Sequence, residues 1–171
     1  MFKSCGKLSQ AMMIRKPAAE DYVQISHLLE DAFSPSPVEM NLVKKLRDKG
    51  KISFDFIIEE NREVVAYICY SAAYDTGKVR IGYHLAPVAV LPKEQGKGLG
   101  RRIIIESLKT LGNRYPVYVL GDPNYYSQFG FRIDQTQKCI FDPSGEHFMV
   151  LADNLLPLPP REVSYEEEFL D

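Results

Sequence analysis

The stretch PVAVLPKEQGKGLGRR at residues 87–102 decides the fold, because a strand, a turn and a helix are expected there in immediate succession. The apolar run 88–91 favours a strand that ends at Pro92, and three glycines at alternate positions then make a turn. Glycine adopts backbone conformations that other residues avoid and has no Cβ to obstruct a ligand. A helix start offers unpaired N–H groups and a partial positive charge. The stretch therefore predicts a site for a phosphate anion, and best a pyrophosphate, at Gly96, Gly98 and Gly100.

Basic side chains close to the glycines would add positive charge to this site, namely Lys97, Arg101 and Arg102. Other phosphate motifs fit less well. A P-loop needs Gly-Lys-Ser/Thr, but Lys97 is followed by Gly98, which has no hydroxyl for a magnesium ion. A dinucleotide fingerprint needs G-x-G-x-x-G, whereas this turn has G-x-G-x-G, and no kinase catalytic loop follows. A glycine turn that merely starts a helix remains the alternative for this stretch alone.

The composition is that of one soluble globular domain. The chain has 171 residues, of which 45% are hydrophobic and 26% are charged, which suits a single domain with its own core. The formal net charge of −2 creates no field that would favour nucleic acid. No run approaches the roughly 20 apolar residues of a membrane span. We therefore expect neither a nucleic acid nor a membrane as a partner.

The cysteines and the N-terminus indicate the compartment. The three cysteines are odd in number, widely spaced and without a C-x-x-C pair: Cys5, Cys69 and Cys139. This pattern supports neither a disulfide framework nor a metal site, and a reducing, cytoplasmic location is the default. Residues 1–12 have no apolar core and are not a secretory signal. We interpret them as a flexible leader, and residues 13–171 as one domain that includes an acidic tail.

Hydrophobic periodicity predicts the elements on either side of the turn. Before it we expect a short strand at 13–15, helices around 25–32 and 37–49, and a hairpin of strands around 54–58 and 64–71. After it we expect a helix that ends at Gly112, a strand at 117–120, and a short helix with Asp122 as N-cap and Pro123 at its first position. Closing strands are predicted at 131–133, 139–141 and 148–151. The acidic run at 166–168 is expected to be solvated.

The strand before the turn, residues 78–90, changes its alternation. Ile81, Tyr83 and Leu85 occupy odd positions, whereas Val88 occupies an even one. Because side chains in a strand alternate with a period of two, one extra residue is expected between Leu85 and Val88. Pro87 lies there and cannot donate a ladder hydrogen bond, which favours a β-bulge that leaves backbone groups free for a ligand. The alternative is that Pro87 separates two strands.

Two motifs resemble one known family. QGKGLG at residues 95–100 looks like the Q/R-x-x-G-x-G/A signature of the GNAT superfamily of N-acetyltransferases. GDPNYYSQFGF at 121–131 is similar to a G-D-P-x-Y-Y-x-x-F-G-F signature of a GNAT subgroup. Members of this subgroup also tend to end in a V-x-Y…F tail, as residues 163–169 do. The resemblance covers roughly residues 13–169. It implies an α+β fold with a mixed, mostly antiparallel central sheet, a bulged and splayed fourth strand, and flanking helices.

The resemblance also implies the cofactor and the residues that hold it. The cofactor is acetyl-coenzyme A, and main-chain groups of Val88, Ala89 and Val90 would bind its pantetheine arm and polarise the acyl carbonyl. The pyrophosphate would be held by the turn and the helix start, namely Gln95, Gly96, Lys97, Gly98, Leu99, Gly100 and Arg101. The implied reaction is direct attack of an amine on the thioester.

Candidate catalytic residues lie in the second motif and in the strand before the turn. By resemblance Tyr126 would be the acid for the leaving sulfur, and a phenol with a pKa of ~10 suits a thiolate. The alternatives are that Tyr126 is a core aromatic residue, or that Tyr125 is the acid. The strand segment 80–90 contains no carboxylate, and His84 is its one candidate base near neutral pH, with a core histidine as the commoner interpretation.

No residue pattern identifies the acceptor. The resemblance places its site around residues 33–41 and the loop between the last strands, with no acidic cluster typical of polyamine or aminoglycoside sites. The favoured function is acetyl transfer to the primary amine of a small or amino-acid-like molecule by a monomer or homodimer. A non-catalytic acyl-CoA-binding module is the main alternative, and a nucleotide-dependent kinase or dehydrogenase is a weaker one.

Overall fold

The computed structural model describes residues 12–152 and 158–170. Its helices are α1 (Asp21–Phe33), α2 (Val38–Asp48), α3 (Leu99–Leu111) and α4 (Pro123–Tyr126), the last continued by a 3-10 turn at Ser127–Phe129. Its strands are β1 (Met13–Arg15), β2 (Ile52–Glu60), β3 (Glu63–Tyr74), β4 (Arg80–Val90), β5 (Val117–Leu120), β6 (Arg132–Ile133), β7 (Gln137–Cys139), β8 (Phe148–Leu151) and β9 (Arg161–Val163). Apart from Met12, the predicted leader lies outside the described residues. No helix in the described ranges is long and apolar enough to cross a membrane.

Seven strands form a central sheet in the order β1-β2-β3-β4-β5-β8-β6. All neighbours in this sheet are antiparallel except β4 and β5, which are parallel. The strands β7 and β9 form a separate parallel pair. The predicted α+β fold with a mixed, mostly antiparallel sheet is confirmed.

The helices bury the apolar faces that their spacing predicts. In α1 the residues Ile25, Leu28 and Leu29 are almost fully buried, and they share one core with the buried face of α3 and the middle of β2 and β3. Helix α3 begins directly after Gly98 and ends before Gly112, as expected from the glycines. Both glycines have positive φ, a conformation that favours glycine. The turn is therefore fixed between a buried strand and a buried helix.

The predicted bulge is present in β4. Ile68 of β3 faces Val88, whereas Tyr70 faces Leu85, so one residue of β3 lies opposite two residues of β4. The extra residue falls at Ala86 and Pro87, where the alternation of the sequence changes. Beyond this point the strand continues to pair with β3 through Val90. A single bent strand, and not two strands separated by Pro87, therefore passes the site.

Strands β4 and β5 diverge after a short parallel contact. They pair only at Tyr83 with Val117 and at His84 with Tyr118. From Leu85 to Val90 the edge of β4 that faces away from β3 has no strand partner among the described residues. The splayed fourth strand implied by the resemblance is confirmed, and its free backbone groups border a gap in the sheet.

Two predictions about the C-terminal part were wrong. The strand expected at 139–141 lies instead at 137–139, where it pairs with β9, which the sequence did not suggest. The acidic run is not solvated as a whole, because Glu166 and Glu168 are buried and only Glu167 is exposed. Lys51 Nζ donates to Glu168 Oε2 at 2.8 Å across 117 positions of sequence. An ion pair over such a distance in the chain leaves no local pattern, so a charge run alone cannot reveal it.

Candidate active site

The gap between β4 and β5 opens into a cavity of about 390 Å³, here called the inner cavity. Its wall is formed by helices α1 and α2, the bulge of β4, the end of β5, α4 and residues 163–170, here called the C-terminal tail. Its lining residues are Phe33, Val38, Glu39, Leu42, His84, Leu85, Ala86, Pro87, Val88, Leu120, Tyr126, Phe141, Tyr165 and Phe169. The wall is mostly apolar, with a few polar groups, which is typical of a small-molecule site.

Tyr126 is held in the inner cavity by the start of α4. Asp122 caps this helix, because its Oδ1 accepts a hydrogen bond from the Asn124 backbone N–H at 2.9 Å. The ring of Tyr126 lies against the backbone of Gly121, where an added Cβ would be 2.9 Å from Cδ2. Burial raises the pKa of Tyr126 to about 12, so its hydroxyl keeps its proton at physiological pH. The side chain therefore lines the cavity in its protonated form.

The structure separates the two neighbouring tyrosines that the sequence left as alternatives. Tyr126 lines the inner cavity, whereas Tyr125 lines a second cavity near the glycine turn. Their rings meet edge to face, with centroids 5.2 Å apart. Because consecutive residues of a helix point about 100° apart, only one of the two can face each cavity. Of the two tyrosines, Tyr126 is therefore the one that lines the inner cavity.

His84 lies in the wall of the inner cavity and is almost fully buried. Its ring is stacked on Tyr165, with centroids 3.5 Å apart, and meets Phe169 edge to face. Its Nδ1 atom has no hydrogen-bond partner among the described residues. Burial lowers the pKa of His84 to about 3, so the imidazole is neutral at physiological pH. It can accept a proton there only from a strongly acidic group.

The glycine turn forms a second cavity of about 370 Å³, here called the anion cavity. Its lining residues are Val90, Glu94, Gln95, Gly96, Gly98, Leu99, Gly100, Arg101, Tyr125 and Gln128. A Cβ added to Gly96 or Gly98 would meet nothing within 4 Å, so the mouth of α3 is not filled by side chains. At Gly100 a Cβ would lie 3.1 Å from the hydroxyl of Tyr125. The backbone N–H groups at this helix start therefore remain accessible to an anion.

The three predicted cations occupy different places. Arg101 lines the anion cavity. Lys97 Nζ instead donates to Glu94 Oε2 at 2.7 Å, and this neutralises a carboxylate that lines the same cavity. The guanidinium of Arg102 is directed to Met12, whose backbone oxygen accepts a hydrogen bond at 3.3 Å. Of the three, Arg101 alone adds its charge directly to the cavity.

The free edge of β4 connects the two cavities. Val88 lines the inner cavity, Val90 lines the anion cavity, and Ala89 lies between them and is buried. Gln95 ties the turn to this strand, because its Nε2 donates to the Val90 carbonyl oxygen at 3.1 Å. The arrangement suits a long ligand whose anionic part lies at the helix start and whose reactive end reaches Tyr126.

Several lining residues were not expected from the sequence. The stretch 33–41 was predicted to border the acceptor, and Phe33, Val38 and Glu39 of this stretch line the inner cavity. The C-terminal tail was not predicted to line a cavity, yet Tyr165 and Phe169 form part of the same wall. The one usable signal was the V-x-Y…F pattern of the tail, which resembles the family but does not indicate where the tail packs.

Comparisons with known proteins identify relatives over most of the chain. A family model described as an acetyltransferase (GNAT) domain matches residues 53–133, which include both motifs. The N-acetyltransferase YhbS of Escherichia coli K12 is 32% identical over 166 residues, which cover 92% of this chain and 98% of the relative.

Solved structures agree with this relationship. The crystal structure of E. coli YhbS in complex with CoA matches with a TM-score of 0.87 and 30% identity, over 99% of this chain and 97% of that one. A GNAT family acetyltransferase from Brucella melitensis in complex with acetyl-CoA matches with a TM-score of 0.79 and 31% identity, over 93% and 98%.

Proposed function

This chain belongs to the GNAT family of N-acetyltransferases, and from that premise we propose that it transfers an acetyl group from acetyl-CoA to the primary amine of a small molecule by direct attack. The observation that carries the proposal is the free edge of β4 between the anion cavity and the inner cavity, with Tyr126 at its inner end. An anionic carrier of an acyl group needs a site for its phosphates and, connected to it, a cavity for its acyl end.

The residues around the turn suit the coenzyme. Its pyrophosphate would lie at the start of α3, against the backbone of Gly96, Gly98 and Gly100 and the guanidinium of Arg101. The open space above Gly96 and Gly98 is what close approach of a phosphate requires. Gln95, Lys97 and Leu99 act by shaping the turn: Gln95 anchors it to Val90, Lys97 neutralises Glu94, and Leu99 is buried under the helix start.

The backbone of residues 88–90 would bind the extended arm of the coenzyme. Peptide groups at an unpaired strand edge must bond to water or to a ligand, and an amide-containing arm can replace the missing strand. When bound, acetyl-CoA supplies an acyl group that is activated as a thioester. Because backbone groups alternate along a strand, those of Val88 and Val90 face away from β3, and the N–H of one of these two residues stabilises negative charge that develops on the carbonyl oxygen.

Tyr126 donates a proton to the departing sulfur in this proposal. The phenol is protonated because burial raises its pKa to about 12, whereas a thiol has an ordinary pKa of ~8.5. The thiolate is therefore the weaker base, so Tyr126 stabilises it by a hydrogen bond as the C–S bond breaks and regains from solvent the proton that it gives up. General acid catalysis of this kind contributes about 10²–10⁴-fold in rate.

His84 is proposed to receive the proton that the amine nitrogen gives up. Its lowered pKa makes it too weak a base to deprotonate an ordinary ammonium group, so the amine must attack in its neutral form. Once the nitrogen has attacked it carries positive charge and becomes a far stronger acid. The neutral imidazole in the cavity wall can then accept a hydrogen bond and the proton from it.

Release of free thiol from acetyl-CoA, measured over a panel of primary amines, tests the proposal. We expect at least one amine to raise the rate clearly above the rate of hydrolysis without an acceptor. If calorimetry shows that acetyl-CoA binds while no amine raises the rate, the chain is a binding module instead of an enzyme.

A further inference from the structure

We propose that the acceptor is a monoamine whose ammonium group is bound by Glu39 and whose body is apolar and of aromatic size. This inference rests on the proposed function, since it concerns the acceptor of the same reaction. The acceptor is then a molecule similar to an arylalkylamine, and Glu39 is the residue that selects for its single positive charge.

The first argument is the composition of the inner cavity. Among the described residues that line it, Glu39 carries the one carboxylate, and no lysine or arginine is present. Phe33, Leu42 and Phe169 instead offer an apolar wall. An apolar wall stabilises an apolar group by removing it from water, and it penalises a charged group that finds no partner. A polyamine or an aminoglycoside would leave several charges unpaired.

The second argument is the position of Glu39. It lies in the first turn of α2 and is partly buried. Its Oε2 accepts a long hydrogen bond of 3.4 Å from the Ser36 hydroxyl, and no cation lies within ion-pair distance of it in the described part of the chain. A carboxylate with free acceptor positions beside an apolar cavity attracts a cation more strongly than one in open water. One ammonium group satisfies it, and after binding this group loses one proton to solvent water, so that its nitrogen attacks the thioester as the neutral amine.

The third argument concerns negative charge on the acceptor. An amino acid would bring its own carboxylate next to its amine, and that group would lie near Glu39 with no basic side chain in the cavity wall. Lys44 in the neighbouring cavity is already paired with Asp48 at 2.7 Å. Like charges close together in an apolar site destabilise binding, so a free amino acid is disfavoured.

The fourth argument is size. The inner cavity has a volume of about 390 Å³, near the lower end of the about 300–1,000 Å³ that is usual for small-molecule sites. Part of that volume must take the reacting thioester. The tail side of the wall is held in place, because Glu168 pairs with both Lys49 and Lys51 next to Phe169. A compact ring on a short amine fits the space that remains.

The experiment compares three amines on the full-length protein with acetyl-CoA: phenethylamine, phenylalanine and spermidine. Phenethylamine and phenylalanine share the ring and differ in the carboxylate, whereas spermidine has several charges and no ring. We expect kcat/KM for phenethylamine to exceed that of each of the others at least tenfold. A preference for phenylalanine or spermidine overturns the inference and leaves the proposed acetyl transfer standing. No turnover with any amine despite acetyl-CoA binding overturns the proposed function, and the inference with it.

Glu39 is tested by Glu39→Gln, which keeps the size of the side chain and removes its charge. We expect KM for phenethylamine to rise about tenfold, with KM for acetyl-CoA and kcat changed less than threefold. Glu39→Asp should recover part of the loss, which a merely structural role would not predict. Glu30→Gln, on the exposed side of α1, is the matched control and should resemble the wild type. A KM for phenethylamine within twofold of the wild type in Glu39→Gln overturns the role of this residue.

Discussion

At the scale of single residues, position in the fold gives two similar side chains different tasks. Tyr125 and Tyr126 are adjacent and both aromatic, yet one borders the anion cavity and the other the inner cavity. The difference follows from helix geometry and from Gly121, which leaves room for the ring of Tyr126.

Removal of the Tyr126 hydroxyl should affect the chemistry and not the binding of the coenzyme. We expect Tyr126→Phe to lower kcat about 10²–10⁴-fold, the usual contribution of a general acid, with KM for acetyl-CoA nearly unchanged. Because the pKa of Tyr126 is about 12, its ionisation should not reduce wild-type activity below about pH 11. Steady-state kinetics over pH 6–10 measures both effects. Tyr125→Phe is the matched control, and an equal loss of kcat in that variant would contradict the assignment.

Gly121 should be required for the position of the Tyr126 ring. A Cβ at this position would overlap Cε2 and lie 2.9 Å from Cδ2, so the ring must move. We expect Gly121→Ala to lower kcat at least tenfold while the affinity for CoA, measured by calorimetry, stays within threefold. Gly77→Ala, in a remote turn, is the control. A wild-type kcat in Gly121→Ala would show that the ring position is not critical.

At the scale of elements, the turn between β4 and α3 combines glycine conformation with a compensated charge. Gly96 and Gly98 have φ values of +77° and +81°, which favour glycine. Glu94 contributes a carboxylate to the anion cavity, and Lys97 pairs with it. Since Lys97 compensates Glu94, Arg101 and the start of α3 make the electrostatic potential in the anion cavity positive.

Loss of the Lys97 ammonium group should weaken CoA binding by exposing Glu94 to the phosphates. We expect Lys97→Ala to raise the Kd for CoA about fivefold at low ionic strength, and less at high salt because salt screens the charges. Adding Glu94→Gln should restore the Kd to within twofold of the wild type. Lys93→Ala is the matched control, since Lys93 pairs with Glu63 away from the cavity. A double variant as weak as Lys97→Ala would mean that Lys97 contacts the ligand directly.

At the scale of the whole molecule, the C-terminal tail closes one side of the inner cavity. Phe169 and Tyr165 reach the wall, and Lys49 and Lys51 hold Glu168 next to them. Tyr74 also donates a hydrogen bond to Glu166 at 2.7 Å. Since these contacts join the connection between α2 and β2, and the end of β3, to the tail, the shape of the cavity depends on segments that are far apart in the chain.

The pairing of Glu168 should make stability depend on acid pH. Burial alone would raise its pKa, but hydrogen bonds from Lys49 and Lys51 outweigh burial and hold the pKa at about 2. A carboxylate with a lowered pKa stabilises the fold above its unfolded pKa, here 4.5, and this contribution is lost between about pH 4.5 and pH 2. We expect Glu168→Gln to lower the free energy of unfolding by about 2–3 kcal/mol at pH 7.

Chemical denaturation at a series of pH values tests this expectation. The difference between the wild type and Glu168→Gln should shrink as pH falls from about 5 to 3, because protonation removes the same charge. Glu167→Gln is the control, since the side chain of Glu167 is 74% exposed. A constant difference at all pH values would assign the loss to packing and not to charge.

Other properties of the whole molecule stay predictions from the sequence. These are the cytoplasmic location, the monomeric or homodimeric state, the division of the chain into a leader and one domain, and the individual roles of the site residues.

The sequence by itself determined the parts of this protein that depend on near neighbours. The period of Ile25, Leu28 and Leu29 gave a helix, the change of alternation around Pro87 gave a bulge, and Asp122 gave a helix cap. Each of these patterns arises from interactions over a few residues, so it can be detected without the fold. The glycine turn and the motif at 121–131 also resembled one family, which the relatives confirmed.

The tertiary structure alone decided what depends on contacts between distant segments. It placed Tyr126 and not Tyr125 in the inner cavity, directed Arg102 to Met12, buried the acidic tail on Lys49 and Lys51, and brought Glu39 to an apolar wall. Charge pairs and cavity walls are selected by the free energy of the whole packed chain, in which a partner can lie 117 residues away. Such a partner has no fixed spacing, so no local pattern of residues predicts it.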